Sequence, residues 1–122
     1  MIEPHQEMDL NLTTFACTGP LSPLEIEAEL IRFYGATPTL HTIWDYTGAD
    51  LTALTAEKIR ELVGFLKDTS HSREGGRSAL VFSMAQLMAI NDRLPSLAEL
   101  EIEQATIKIF DGVEKARAWI AG

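Results

Sequence analysis

The segment TLHTIWDYTGADLTALT, residues 39–55, decides the fold because it joins a buried strand to a helix through a turn-rich loop. Residues 39–45 carry apolar side chains without strict alternation, which is typical of a strand covered on both faces. Residues 46–54 contain the glycine, aspartate and threonine of turns, and Thr55 follows as a helix N-cap. Binding sites in open α/β sheets lie beyond the carboxyl ends of strands, so the loop at 46–54 is the predicted functional region.

A helix and a second buried strand follow this loop. The helix is predicted over residues 55–67, where apolar residues recur at the i, i+3, i+4, i+7 spacing of one helical face. The strand is predicted at residues 78–83. Because a helix between two strands gives a right-handed crossover, we expect the 39–45 and 78–83 strands to lie adjacent and parallel near the centre of the sheet.

The remaining elements complete a ββαβαβαβα order. Capping boxes, Ser-x-x-Glu and Ser-x-x-Gln, begin helices at Ser22 and Ser83. The other predicted elements are a pair of strands at 2–8 and 12–18, a half-exposed strand at 105–110, and a last helix capped by Asp111. We therefore predict one α/β domain over residues 1–122, with a mixed, mainly parallel sheet of about five strands and helices packed on it.

The charge of the chain argues against several classes of partner. Ten Lys and Arg residues stand against 18 Asp and Glu residues, for a formal net charge of -8. Such an acidic chain is poorly suited to nucleic-acid phosphates or to an anionic membrane surface. No apolar run approaches the roughly 20 residues that span a bilayer, and residues 1–7 do not resemble a secretion signal. The single Cys17 fits a reducing compartment, so we expect a cytoplasmic protein without membrane insertion.

No set of residues has the spacing of a catalytic or metal-binding motif. The three histidines are far apart, and Ser83 lacks the flanking glycines of a nucleophile elbow. We therefore expect no enzyme activity, no metal and no cofactor. Arg73 and Arg77 flank a glycine pair, which makes this basic turn a weak candidate for an anion site. The alternative interpretation is a simple turn in which Arg77 pairs locally.

The predicted loop and the strand end before it supply candidate contact residues for a partner protein, namely Asp45, Tyr46, Thr47, Asp50, Leu51 and Thr52. Their place after a central strand would direct the carboxylates outward, where a basic or apolar partner could meet them. A structural interpretation competes with this one. Asp45 and Asp50 could instead accept hydrogen bonds from loop amides, with Thr52 shaping the same turn. Trp44 and Trp119 are expected in the core rather than as ligand platforms.

Several short stretches resemble the STAS domain, the fold of bacterial anti-sigma factor antagonists and of the cytoplasmic tails of sulfate transporters. They are IWD at 43–45, GADL at 48–51, GRSALV at 76–81, IFD at 109–111 and ARAWI at 116–120. The resemblance covers residues 8–121 and is closer still to small bacterial proteins of uncharacterised role grouped with that fold. It implies an α/β fold and a non-enzymatic regulatory role in the bacterial cytoplasm.

One motif of that family is altered here. The antagonists carry Asp-Ser-(Ser/Thr)-Gly at the start of the helix after this strand, where a partner kinase phosphorylates a serine. The corresponding residues are Ala53-Leu54-Thr55-Ala56, so only Thr55 offers a hydroxyl, as a weak phosphosite candidate. Thr55 also has a sufficient structural role as an N-cap. The sequence therefore predicts a regulatory or protein-binding module that lacks this phosphorylation motif. A carrier of a small apolar or anionic ligand is the alternative, and a homodimer is left open.

Overall fold

The strand and helix patterns assemble around one mixed sheet. The structure is a computed structural model, and it describes residues 1–55, 57–58, 60–61, 76–90 and 105–122. The strands of the described ranges are hydrogen-bonded in chain order: β1 (Ile2–Glu7), β2 (Leu12–Pro20), β3 (His41–Asp50), β4 (Gly76–Val81) and β5 (Ala105–Phe110). The helices with assigned bounds are α1 (Pro23–Gly35), α2 (Met84–Ile90) and α3 (Val113–Ala121). The predicted α/β class is confirmed.

The sheet is mainly parallel. β1 and β2 form an antiparallel hairpin, and each later neighbour pairs in parallel. The hairpin turn holds Asn11 at φ 51°, a left-handed conformation that asparagine tolerates better than most residues. β3 lies at the centre and pairs with β4 from Thr42–Ser78 to Asp45–Val81. The predicted parallel pairing of these two strands is therefore confirmed.

β3 is longer than the sequence pattern predicts, and this difference shapes the candidate site. Residues 46–50, predicted as a loop, continue the strand. They can do so because β2 runs on to Pro20 instead of ending near residue 18, so that its last residues pair with those of β3 as far as Pro20–Asp50. The backbone hydrogen bonds offered by this neighbouring strand outweigh the turn propensity of glycine and aspartate.

A β-bulge interrupts the pairing of β2 with β3. Two β3 residues, Tyr46 and Thr47, stand opposite the single residue Cys17. The bulge shifts the alternation of side chains by one residue. As a result, Tyr46 and Ala49 pack against the same apolar cluster although they are three residues apart.

Apolar side chains cover both faces of the sheet, as predicted for its central strand. The larger cluster includes α1 and Trp44, which is 5% exposed. The smaller cluster includes α3 and Ile43, which is fully buried. Trp119 packs half-buried against the smaller cluster. The predicted core positions of both tryptophans agree with this arrangement.

Two of the predicted helix starts are confirmed by their caps. The Ser22 hydroxyl accepts a hydrogen bond from the Glu25 amide at 3.2 Å, and Pro23 follows at the first helical position. Ser83 and Gln86 satisfy each other: the Gln86 amide donates to the Ser83 hydroxyl at 3.1 Å, and the Ser83 amide donates to the Gln86 side-chain oxygen at 2.8 Å. Both starts follow from local sequence alone.

The start of α3 differs from the prediction. Gly112 is the N-cap, and no side chain caps the helix there. Asp111, the predicted cap, instead accepts a hydrogen bond from the Lys115 ammonium at 2.8 Å. Lys115, in the first turns of α3, offers the carboxylate a charged partner, which a backbone amide does not.

Candidate functional site

Two Asp-x-Thr turns order the stretch from Asp45 to Thr52, termed here the carboxyl-edge segment. In the first turn, the Asp45 carboxylate accepts hydrogen bonds from the Thr47 amide at 3.1 Å and the Thr47 hydroxyl at 2.6 Å. In the second, Asp50 accepts from the Thr52 amide at 3.0 Å and the Thr52 hydroxyl at 2.8 Å. Both aspartates thus make the local hydrogen bonds that the structural interpretation predicted.

The second turn keeps a negative charge at the surface. Hydrogen bonds from the Thr52 amide and hydroxyl hold the pKa of Asp50 below its usual range. Asp50 is exposed, as are Thr47 and Thr52, whereas Asp45 is half-buried. The segment therefore presents a carboxylate and two threonines to solvent on a backbone that the turns hold in place.

Tyr46 and Leu51 point inward instead. They are 8% and 5% exposed, and both belong to the larger apolar cluster. The Tyr46 ring stacks on Phe82 of the strand-to-helix connection at 5.1 Å between centroids. Burial raises the pKa of Tyr46, so its hydroxyl stays protonated. These two of the candidate contact residues anchor the segment, and the surface they leave is formed by their polar neighbours.

Gln86 fastens the segment on its other side, and sequence reasoning assigned it only a capping role. β4 ends opposite Asp45, so no strand of the described residues pairs with the β4-facing side of the extended part of β3. The Gln86 side-chain amide donates to the Tyr46 carbonyl at 2.7 Å and to the Ala49 carbonyl at 3.0 Å. The Ser-x-x-Gln pattern that predicted the cap was the available signal for this residue.

Thr55 adopts the capping geometry that was predicted for it. Its hydroxyl accepts a hydrogen bond from the Lys58 amide at 3.3 Å, and Glu57 and Lys58 are helical. Thr55 itself is exposed. Most of the helix predicted at 55–67 lies outside the described residues.

Of the two arginines predicted as a weak anion site, only Arg77 lies among the described residues. Arg73 lies outside the described residues. Arg77 makes specific contacts: its guanidinium donates to the Trp119 carbonyl near the end of α3 and lies 5.5 Å from the centre of the Trp119 ring. A cation at the C-terminal end of a helix is favourable because the last carbonyls carry partial negative charge. Arg77 therefore ties β4 to α3, although not through the local pairing considered from the sequence.

Two further observations concern metal binding and the thiol. Within the described residues, no three His, Cys, Asp or Glu side chains lie close enough to hold a metal ion. Cys17 is buried, and burial raises its pKa to about 12, with the nearby Asp45 charge acting in the same direction. The thiol is therefore protonated and inert at neutral pH. No helix in the described part of the chain is long and apolar enough to cross a membrane.

Comparisons with known proteins identify the fold. Models of known protein families do not match the chain, and neither do curated proteins. A solved structure from Shewanella loihica PV-4 does match, with a TM-score of 0.55 and 19% sequence identity, over 98% of this chain and 92% of that one. That structure is described as an uncharacterised protein of the DUF3478 family with a SpoIIAA-like fold. The STAS-like architecture predicted from the sequence is confirmed, and the chain has a SpoIIAA-like α/β fold.

Proposed function

We propose that this protein is a non-enzymatic protein-binding module of the bacterial cytoplasm, and that the carboxyl-edge segment, residues 45–52, contacts its partner. The observation that carries the proposal is that the exposed polar groups of this segment are held from two directions. Tyr46 and Leu51 anchor it in the apolar cluster, while the Gln86 amide holds two of its carbonyls.

Such an ordered surface favours recognition. A loop that orders only on binding loses conformational freedom, and this loss subtracts from the affinity. The two Asp-x-Thr turns remove that cost in advance for Thr47, Asp50 and Thr52. The segment also lies at the carboxyl edge of a central strand, where ligands of open α/β sheets are bound.

The negative charge of the segment indicates the charge expected on the partner's surface. Asp50 is ionised at neutral pH, and the whole chain carries a net charge of -8. At this segment, like charges would repel an acidic surface, so the surface that meets it is basic, with hydroxyl or amide groups that contact the threonines. Association between such surfaces weakens as salt screens the charges.

Affinity capture from extract of the native cells tests this proposal. The variant Asp45→Asn with Asp50→Asn removes both charges but keeps the side-chain oxygens that accept from Thr47 and Thr52. We expect it to fold as the wild type does and to lose the protein partner that the wild type retains. The matched control is Glu3→Gln with Glu114→Gln, which makes the same charge change at two exposed carboxylates elsewhere.

Two results would contradict the proposal. One is equal retention of every partner by the aspartate variant and the wild type. The other is retention of a small molecule and no protein, which would favour the alternative of a ligand carrier.

A further inference from the structure

The outer face of α1 carries an apolar stripe that nothing in the described part of the chain covers. Leu24 is 76% exposed and Ile31 is 55% exposed, and Ala28 and Gly35 are exposed between and after them. The four positions follow spacings of four, three and four residues. This spacing aligns side chains along one side of a helix, as in the seam of a coiled coil.

We propose that this stripe is the interface of a homodimer, in which α1 packs antiparallel against α1 of a second copy about a twofold axis. The order of sizes along the stripe is large, small, large, small. When the helix is reversed against itself, Leu24 faces the partner's Gly35 and Ala28 faces the partner's Ile31. Each layer then joins one large and one small side chain. One alignment of the two helices forms every layer, because the pair Leu24 and Gly35 and the pair Ala28 and Ile31 are centred on the same point of α1.

The space that this packing requires at Gly35 is present. A Cβ atom built on Gly35 meets no atom within 4 Å, so the space above this residue is open to a side chain from another molecule. A parallel arrangement would instead set Leu24 against Leu24 and Gly35 against Gly35. That would crowd one layer and leave a void in another, and both cost stability in a packed interface.

Charges beside the stripe fit the same arrangement. Glu25 and Arg32 border the stripe on one side, at positions seven residues apart. In an antiparallel twofold pair, each border meets the same border of the other helix, so Arg32 faces the partner's Glu25 and the reverse contact is made as well. Arg32 has its side chain 72% exposed while it holds the buried Glu29 at 2.9 Å. Its guanidinium has five N–H donors, which is enough for both carboxylates.

The dimer should be weak. A standard interface buries about 800 Å² of each partner, and one stripe on a 13-residue helix offers less. Sedimentation velocity over roughly 5 to 500 µM spans the affinities expected for so small a contact. The wild type is expected to shift from monomer towards dimer over this range.

A charged substitution in the stripe tests the location of the interface. Ile31→Asp should weaken dimerisation by about tenfold or more, because it buries an unpaired charge between the helices. The matched control is Met88→Asp on α2, where the replaced side chain is 81% exposed and outside the stripe. This control should dimerise as the wild type does.

Exchange of sizes tests the arrangement itself. Ala28→Ile alone sets two large side chains in one layer, and Ile31→Ala alone sets two small ones, so each should weaken the dimer. The double variant restores one large and one small side chain per layer and should recover the wild-type dissociation constant. A wild type that stays monomeric throughout the range would overturn the proposal, and so would an Ile31→Asp variant that dimerises normally or a double variant no better than the single ones.

Discussion

Gln86 is the single residue that best explains why the carboxyl-edge segment is ordered. Its side-chain oxygen accepts from the Ser83 amide and its side-chain nitrogen donates to the carbonyls of Tyr46 and Ala49. The oxygen forms part of the cap of α2. The nitrogen provides a hydrogen-bond donor to two carbonyls of β3, in the part of that strand that does not pair with β4. One side chain thus joins a local signal in the sequence to a contact about 40 residues away.

Gln86→Glu separates these two roles. Glutamate keeps an oxygen for the Ser83 amide, but at neutral pH it has no donor for the two carbonyls. We expect the free energy of unfolding to fall by about 1–2 kcal/mol, since two part-buried hydrogen bonds are lost and negative oxygens approach one another. Urea denaturation measures this change.

The pH dependence of the same variant provides its control. Protonation of the introduced carboxylate at acid pH supplies one donor, so the deficit relative to the wild type should shrink as the pH falls towards about 4. A variant as stable as the wild type at neutral pH would show that the carbonyl contacts contribute nothing.

Among the elements, the starts of α1 and α2 were predictable from the sequence, whereas the start of α3 and the end of β3 were not. The hydroxyls of Ser22 and Ser83 accept hydrogen bonds from amides three residues later, so the local sequence is enough to predict these caps. The extension of β3 depends on β2, a strand about 30 residues earlier, whose own end at Pro20 the sequence did not mark. The inward direction of Tyr46 continues the alternation from Trp44, whereas the side on which Ala49 lies depends on the bulge produced by this pairing. No local pattern reports the bulge.

The hydroxyl of Thr55 caps the start of the next helix, and substitution of this residue tests the cap. Thr55→Ala removes the acceptor of the Lys58 amide and should cost about 1 kcal/mol, whereas Thr55→Asp should be tolerated because aspartate caps equally well. Thermal or urea unfolding of the two variants measures both effects. Stoichiometric phosphate at Thr55 in protein from its native cells would contradict a purely structural role.

Across the whole molecule, carboxylates form ion pairs and hydrogen bonds outside the backbone pairing of the sheet. Glu7, at the end of β1, pairs with Arg117 of α3, where one guanidinium nitrogen lies 2.8 Å from Glu7 Oε2. This pair lowers the pKa of Glu7, and the Lys115 ammonium likewise lowers the pKa of Asp111. The Thr52 hydrogen bonds do the same for Asp50.

These lowered pKa values predict sensitivity to acid. A carboxyl whose pKa is lower in the folded chain binds a proton more readily when unfolded, so its contribution to stability is present above about pH 4 and is lost below it. The urea midpoint should therefore fall between about pH 5 and about pH 3. Asp111→Asn should show a smaller fall over this range than the wild type, and an equal fall would mean that the Lys115 contact is not formed in solution.

A hydrogen-exchange footprint tests whether residues 45–52 form the surface that contacts the partner protein. The purified partner captured by the wild type is added to the intact protein, and amide exchange is compared with and without it. We expect new protection at residues 45–52, with no change at the α1 face. Protection confined to any other surface, with exchange at residues 45–52 unaltered, would show that the partner binds elsewhere.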